Sequence, residues 1–360
     1  MATHSNPRLL ALTTNLLATA SIIAASGCGS SADAQPLSVP AASPASLQEA
    51  ATALAPPESD APADDSVPSY SVVAPEGASD AGCQSAPPGM ACVPAGWFIR
   101  GVDEDPHECD QASQPAQGNI GTTPSQRVWL DTYYVDVTEV TNEAYRACVR
   151  NGDCPQDGPK YADFSAPQQP ITGLTWYSAN TFCQAQGKHL ITEAEFEKAT
   201  RGPDGEIYAW GNEAPTCERA ILMDESGRAC GVPKRGNSPQ NGRVWEVASR
   251  PVGRYGLYDM TGNAEEWVFD LWSPSWDACG SACSRANPRG PCDGVEPCAE
   301  LSRQYRVVRG GSWYWPAAHA TGYHRRAYRP DNHPAHHFGF RCAASAAQAQ
   351  ALTAASNDTP

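Results

Sequence analysis

Three stretches of the 360-residue chain repeat apolar positions at the spacing of a helix face. Glu143 to Arg150 follows Thr141, a hydroxyl residue suited to capping a helix start, and is halted by Gly152. It places Tyr145, Cys148 and Val149 on one face. Ser178 to Gln186 follows Thr175, carries Ala179, Phe182 and Cys183, and stops at Gly187. The last opens at Thr192 with Glu195 a turn further on, the reciprocal pairing of a capping box, and ends at Gly202. Alternation of period two, the mark of a strand with one buried face, runs from Val128 to Val135 and again over Arg306 to Val308. Elsewhere turns dominate: with 30 Gly, 32 Pro and 18% charged residues the pattern predicts a loop-rich fold without long regular helices.

Both ends break this pattern. His4 and Arg8 precede a mostly apolar run from Leu9 to Ala25, followed by Ala25-Ser26-Gly27-Cys28. The run is short and interrupted by Thr and Asn, so it predicts an export signal over 1–27 rather than a membrane span. Small residues before Cys28 resemble a bacterial lipobox, in which Cys28 would carry lipid; an ordinary cleaved signal peptide is the other reading, and both place the protein outside the cytosol. Within 28–82, the stretch Gly29 to Asp80 holds eight acidic residues and no Lys or Arg. Such a stretch buries too little apolar surface to offset its ordering entropy, so it is expected to be a disordered tether. One ordered domain is expected over 83–344, followed by a frayed Ala/Gln/Ser tail at 345–360.

A formal charge of −15 without a sustained Lys/Arg stripe argues against nucleic acid as a partner. Fourteen cysteines suit an oxidising compartment, and short separations make Cys148 with Cys154 and Cys217 with Cys230 sensible disulfides. Cys279, Cys283, Cys292 and Cys298 could be zinc ligands or staples; irregular spacing and the compartment favour staples.

Gly89-Met90 with Val93-Pro94-Ala95-Gly96, then LDTYYVDVTEVTNEAY, PITGLTWYSANTFCQAQGKHLITEAEFEKATRG, YAWGN, YGLYDMTGNAEEW, RVVRGGSW and FGFRCA, in that order, resemble the formylglycine-generating enzyme family, also called sulfatase-modifying factor domains. The resemblance covers essentially all of Cys83 to Ala344. It implies one α+β domain, a variant of the C-type-lectin-like fold with little regular secondary structure, stapled by disulfides. It also implies an O2-dependent oxidoreductase that converts a substrate cysteine to formylglycine using Cu(I) held by two cysteines shortly after the Gly-Gly-Ser turn. Soft thiolates suit Cu(I), yet here those positions fall at or near Trp315 and Ala320, so formylglycine-generating activity is not expected. In a related branch, the ergothioneine-pathway sulfoxide synthases, an added N-terminal helical domain supplies iron-binding histidines, where this chain has its tether. The resemblance further implies one structural calcium, held by the side chains of Asp259 and Glu266 and the carbonyls of Gly262 and Ala264. A second calcium site is expected to be lost, since Ile221 stands where the family has Asn. It also implies a disulfide between Cys183 and Cys342.

Ser312, Trp313, Tyr314, Trp315 and Tyr323 are the expected lining of an aromatic pocket suited to a peptide, protein or glycan ligand. His319, His324, His333, His336 and His337 could hold a transition metal, but HPAHH lacks the helical spacing that presents two ligands together, and loop histidines are the plainer expectation. Arg325, Arg326 and Arg329 could clamp an anion, but pairing with nearby acids is expected instead. The sequence therefore predicts an exported protein, lipid-anchored in the bacterial cell envelope at a periplasmic or outer-membrane face, whose domain is a binding or structural module. The rival expectation is a metal-dependent oxidoreductase working through the histidines.

Overall fold

The three expected caps form. In the computed structural model, which describes residues 74–104, 122–279, 281–291, 305–331 and 336–357, Thr141 Oγ1 accepts from Ala144 N at 3.2 Å and opens α1, Asn142–Asn151. Gly152 closes it in the left-handed conformation (φ 84°) that a residue without Cβ adopts readily. Thr175 Oγ1 accepts from Ser178 N at 3.1 Å and opens α2, Trp176–Ala185, two residues before the expected start. Thr192 and Glu195 complete the capping box of α3, Glu193–Arg201. Each cap is worth about 1 kcal/mol.

One sheet runs β1 (Met90–Val93), β4 (Tyr133–Asp136), β10 (Cys342–Ser345), β5 (His189–Leu190), all antiparallel. A ribbon pairs β2 (Gly96–Arg100) with β3 (Gln126–Leu130). The other sheet runs β8 (Arg325–Tyr328), β7 (Arg306–Arg309), β6 (Glu265–Leu271), β9 (Phe338–Phe340), with β6 and β9 parallel. One core joins α3 to the strands through Phe196, Val128, Val135, Val268 and Val307; another gathers Trp267, Phe338 and Phe340 beside α2.

The chain departs from expectation at two places in this framework. Val128 to Val135 is not one strand: it divides into β3 and β4, which lie in different sheets. Asp131 makes the break, because its carboxylate accepts from Trp129 Nε1 (2.9 Å) and Ser79 N (2.7 Å) while its own N–H donates to Asn287 Oδ1 (2.8 Å). Local side-chain bonding of this kind competes with the strand ladder. The tail is not frayed through 345–360 either. Ala346–Asn357 forms helix α4, started by Ser345 N donating to Gln348 Oε1 (2.9 Å) and Gln348 N donating to Ser345 Oγ (3.3 Å). Ser345 and Gln348 are a capping box ahead of an Ala-rich stretch of high helix propensity, and Ala349 is buried with Met90, Tyr134 and Ala344.

Disulfides join Cys83–Cys92, Cys148–Cys154, Cys183–Cys342, Cys217–Cys230 and Cys279–Cys283. Cys28, Cys109, Cys292 and Cys298 lie outside the described residues.

Candidate functional site

The Gly-Gly-Ser turn follows β7 directly. Gly310 and Gly311 are both left-handed (φ 88° and 66°), and a Cβ on Gly311 would stand 2.7 Å from Ala320, so only glycine fits. The turn drives the next residues inward: Ser312 and Trp313 are 0% exposed and Tyr323 2%. Trp313 joins Phe164, Ile221, Val244 and Ala264 in a core cluster, and Tyr323 lies under the Arg201 guanidinium at 5.3 Å. The expected aromatic pocket is therefore corrected. Side chains without accessible surface cannot form its walls, and only Tyr314 and Trp315 keep part of their surface open.

Where the family's thiols are expected, Ala320 is fully buried against Gly311, and the Trp315 ring packs on His319 (5.1 Å between centroids) and below Arg326 (4.5 Å). Among the described residues all ten cysteines are in disulfides, so this donor set does not fit Cu(I).

Of the described histidines, only His324 is buried, while His319, His336 and His337 keep part of their surface open. His324 is buried, with its Nε2 3.3 Å from His319 Nδ1. His336 sits among Tyr161, Phe164, Trp313 and Tyr314, and His337 stacks on Tyr314 at 5.1 Å. Aromatic packing thus displaces water from part of each ring. Burial first, then His336, Arg326 and Arg228, holds the His337 imidazole well below its usual pKa and so neutral. His333 lies outside the described residues. Among the described residues no three His, Cys, Asp or Glu side chains come together as a metal cage. The arginines nearby are paired: Arg325 holds Glu193 with two 2.8 Å bonds, Arg326 reaches Glu265 at 3.3 Å, and exposed Arg329 meets Asp331.

The expected calcium residues lie where β6 leaves the YGLYDMTGN loop. Asp259 adopts φ 55° and accepts from Ala248 N at 2.7 Å. Glu266 is gripped by Arg341 Nη2 at 2.6 Å and Nε at 2.8 Å. Gly262 (φ 85°) donates its N–H to Gly310 O at 2.8 Å, and Ala264 N reaches Glu139 Oε1 at 3.3 Å. Glu139 joins the group unforeseen. Burial, then Asp259 and Glu266, pushes its carboxyl well up, and its Oε2 is buried without a partner. Glu139 and Glu266 are buried and Asp259 half-buried, with Arg341 on Glu266 and Arg250 beside Asp259 as the cations against them; these carboxylates do not converge as a cage, and the feature that would suit calcium is Glu139 Oε2, a hard oxygen without a partner. Ile221, at the second calcium position, is buried in the apolar cluster around Trp313.

Two of the cavities that lie elsewhere among the described residues carry charged side chains. One of about 430 Å³ is lined by Asp131, His189, Glu195, Arg289 and Gln348, with His189 Nε2 3.1 Å from the Glu195 carboxylate. The other, about 510 Å³, opens between the loop Ala162–Gln169 and the segment Arg235–Ser249. Neither was foreseen. The second had a signal in the sequence: Arg228, Lys234, Arg235, Arg243 and Arg250 stand against Glu246 alone in an otherwise acidic chain.

Residues 76–346 match the family model of the sulfatase-modifying factor enzyme 1-like domain. The chain belongs to this sulfatase-modifying factor family. The formylglycine-generating enzyme of Thermomonospora curvata is 36% identical over 192 residues, covering 52% of this chain and 59% of that protein. The Bos taurus formylglycine-generating enzyme is 28% identical over 316 residues, covering 74% and 78%. The solved structure of PvdO from Pseudomonas aeruginosa superposes with a TM-score of 0.52 at 21% identity, covering 71% of this chain and 93% of that one. That likeness speaks to the fold, the mixed α+β architecture of sulfatase-modifying factor domains with few regular elements and several disulfides.

Proposed function

We propose that the protein is an exported, lipid-anchored component of the bacterial cell envelope whose sulfatase-modifying factor domain binds a peptide, protein or glycan ligand and does not generate formylglycine. One observation carries the reading. The positions that the resemblance gives to the copper thiols hold Trp315 and Ala320, packed and buried, and no described cysteine is free to replace them. Thiolates are what hold Cu(I), and neither an indole nor a methyl group substitutes for them.

Incubating the purified protein with Cu(I), O2 and a sulfatase-type cysteine peptide tests this. Mass spectrometry should find the cysteine unconverted, and a stoichiometric aldehyde product would overturn the proposal.

The export signal and disulfides support the location, since disulfides persist outside the cytosol. Cells fed a labelled fatty acid should incorporate it into the wild type and not into Cys28→Ala; label retained by the variant would remove Cys28 as the anchor.

Calcium belongs to the same proposal, with Asp259 and Glu266 and the carbonyls of Gly262 and Ala264 as its ligands and neutralisation of the buried acids as its contribution. A cation bound only to the folded state at about 100 times its Kd adds about 2.7 kcal/mol. Chelation should therefore lower the Tm of the wild type but not of Asp259→Ala, which removes the ligating side-chain oxygen. Identical wild-type melting with and without chelator would remove calcium from the reading.

A further inference from the structure

The 510 Å³ cavity has walls that are pinned to each other. Gln169 Nε2 donates both to Asp163 O (2.9 Å) and to Val244 O (2.7 Å), and Asn263 Oδ1 accepts from Trp245 N at 2.9 Å. Arg235 and Arg243 line it, and their guanidinium donors are largely unspent. Arg243 gives one bond, from Nη1 to Pro233 O at 3.1 Å, while the Arg235 side chain has no hydrogen-bond or ion-pair partner among the described residues. The two cations sense each other: burial first, and then Arg235, holds the Arg243 pKa below its usual value, with only Asp163 opposing. Asp163 is committed to backbone, its Oδ2 accepting from Arg235 N at 2.6 Å.

Trp245 and Ser249 belong to the same lining. Trp245 Nε1 and Ser249 Oγ are buried without hydrogen-bond partners. Basic groups continue beyond the cavity, with Arg250 over the Trp245 ring at 4.3 Å and Arg228 over Tyr314 at 3.7 Å. Glu246 is the one acidic side chain in this stretch, and it is exposed. An isolated anion would use only the cavity, whereas a run of acidic side chains would use the neighbouring cations as well.

We propose that this cavity binds a carboxylate of an acidic peptide, with Arg235 and Arg243 pairing with the oxyanion. The inference gives the binding-module reading a site and a ligand class, and it rests on that reading. Formylglycine assays bear on the parent reading alone, so the two can fail separately.

The test is fluorescence anisotropy of the full chain with a labelled Glu-Gly repeat octapeptide, alongside its Gln-Gly counterpart. The Glu peptide should bind saturably and weaken steeply with salt, and the Gln peptide should not bind. Arg235→Gln, at an exposed position that spares the fold, and Arg243→Gln should each weaken binding about tenfold, as expected for loss of a charged hydrogen bond. Arg150→Gln, outside the cavity, should leave it unchanged. The proposal fails if the Gln peptide binds equally, or if the cavity variants match Arg150→Gln. It also fails if inorganic phosphate displaces the peptide at equal molar concentration, or if no binding occurs up to about 1 mM peptide, the weak end of specific recognition.

Discussion

Glu197→Gln should lower the free energy of unfolding by about 3–5 kcal/mol, the usual cost of breaking a buried ion pair by removing one partner. Glu197 is fully buried on α3 and accepts from Arg201 Nη1, Arg309 Nη2 and Gly101 N, each at 2.6 Å. Burial alone would raise its pKa, but Arg309 and then Arg201 outweigh that and hold it below 4.5. The glutamine keeps the shape and removes the charge, which leaves the Arg309 and Arg201 guanidinium groups facing a neutral amide in a dry interior.

The pH dependence has a definite sign. A carboxylate whose folded pKa is depressed contributes stability that is fully present above its unfolded value of 4.5 and is lost as pH falls from there through the folded pKa. Chemical denaturation at pH 7 and at a series of pH values below 4.5 should therefore show the gap between wild type and Glu197→Gln narrowing progressively on acidification. A difference under about 1 kcal/mol at pH 7 would mean that the network is redundant around Glu197.

What the sequence made legible was local. Thr141, Thr175 and Thr192 announce helices because capping acts over three residues, and the bonds that carry it are those found. The same logic would have found α4, since Ser345 and Gln348 form the same kind of box; the low-complexity composition obscured it. The split of β3 from β4 turns on Asn287, 156 residues from Asp131, and no period along the chain encodes that bond. The site shows the same division. The Gly-Gly-Ser turn and the missing thiols can be read directly, whereas the burial of Trp313 and Tyr323 follows from packing partners elsewhere in the chain. Glu139 reaches the carboxylate group from 125 residues before Ala264, so a motif confined to Asp259–Glu266 could not include it.

The loss of the Cys183–Cys342 disulfide should be the other large effect, and its size separates chain entropy from local packing. The bond closes 159 residues, whereas Cys83–Cys92 closes 9. On the loop-entropy account these are worth about 5 and about 2.5 kcal/mol. Cys183 lies on α2 and Cys342 on β10, both buried, so alanine is the appropriate replacement; serine would add buried hydroxyls with their own desolvation cost. Denaturant unfolding of Cys183→Ala/Cys342→Ala against Cys83→Ala/Cys92→Ala, with the remaining disulfides intact, should give a larger midpoint shift for the first pair by roughly a factor of two. The strand position adds to this. Cys342 follows Arg341, whose guanidinium holds the fully buried Glu266, so freeing this end of β10 also loosens a buried ion pair. Equal costs for the two pairs would show that residual structure in the unfolded chain already holds α2 near β10, and the entropy account would then fail for the long loop.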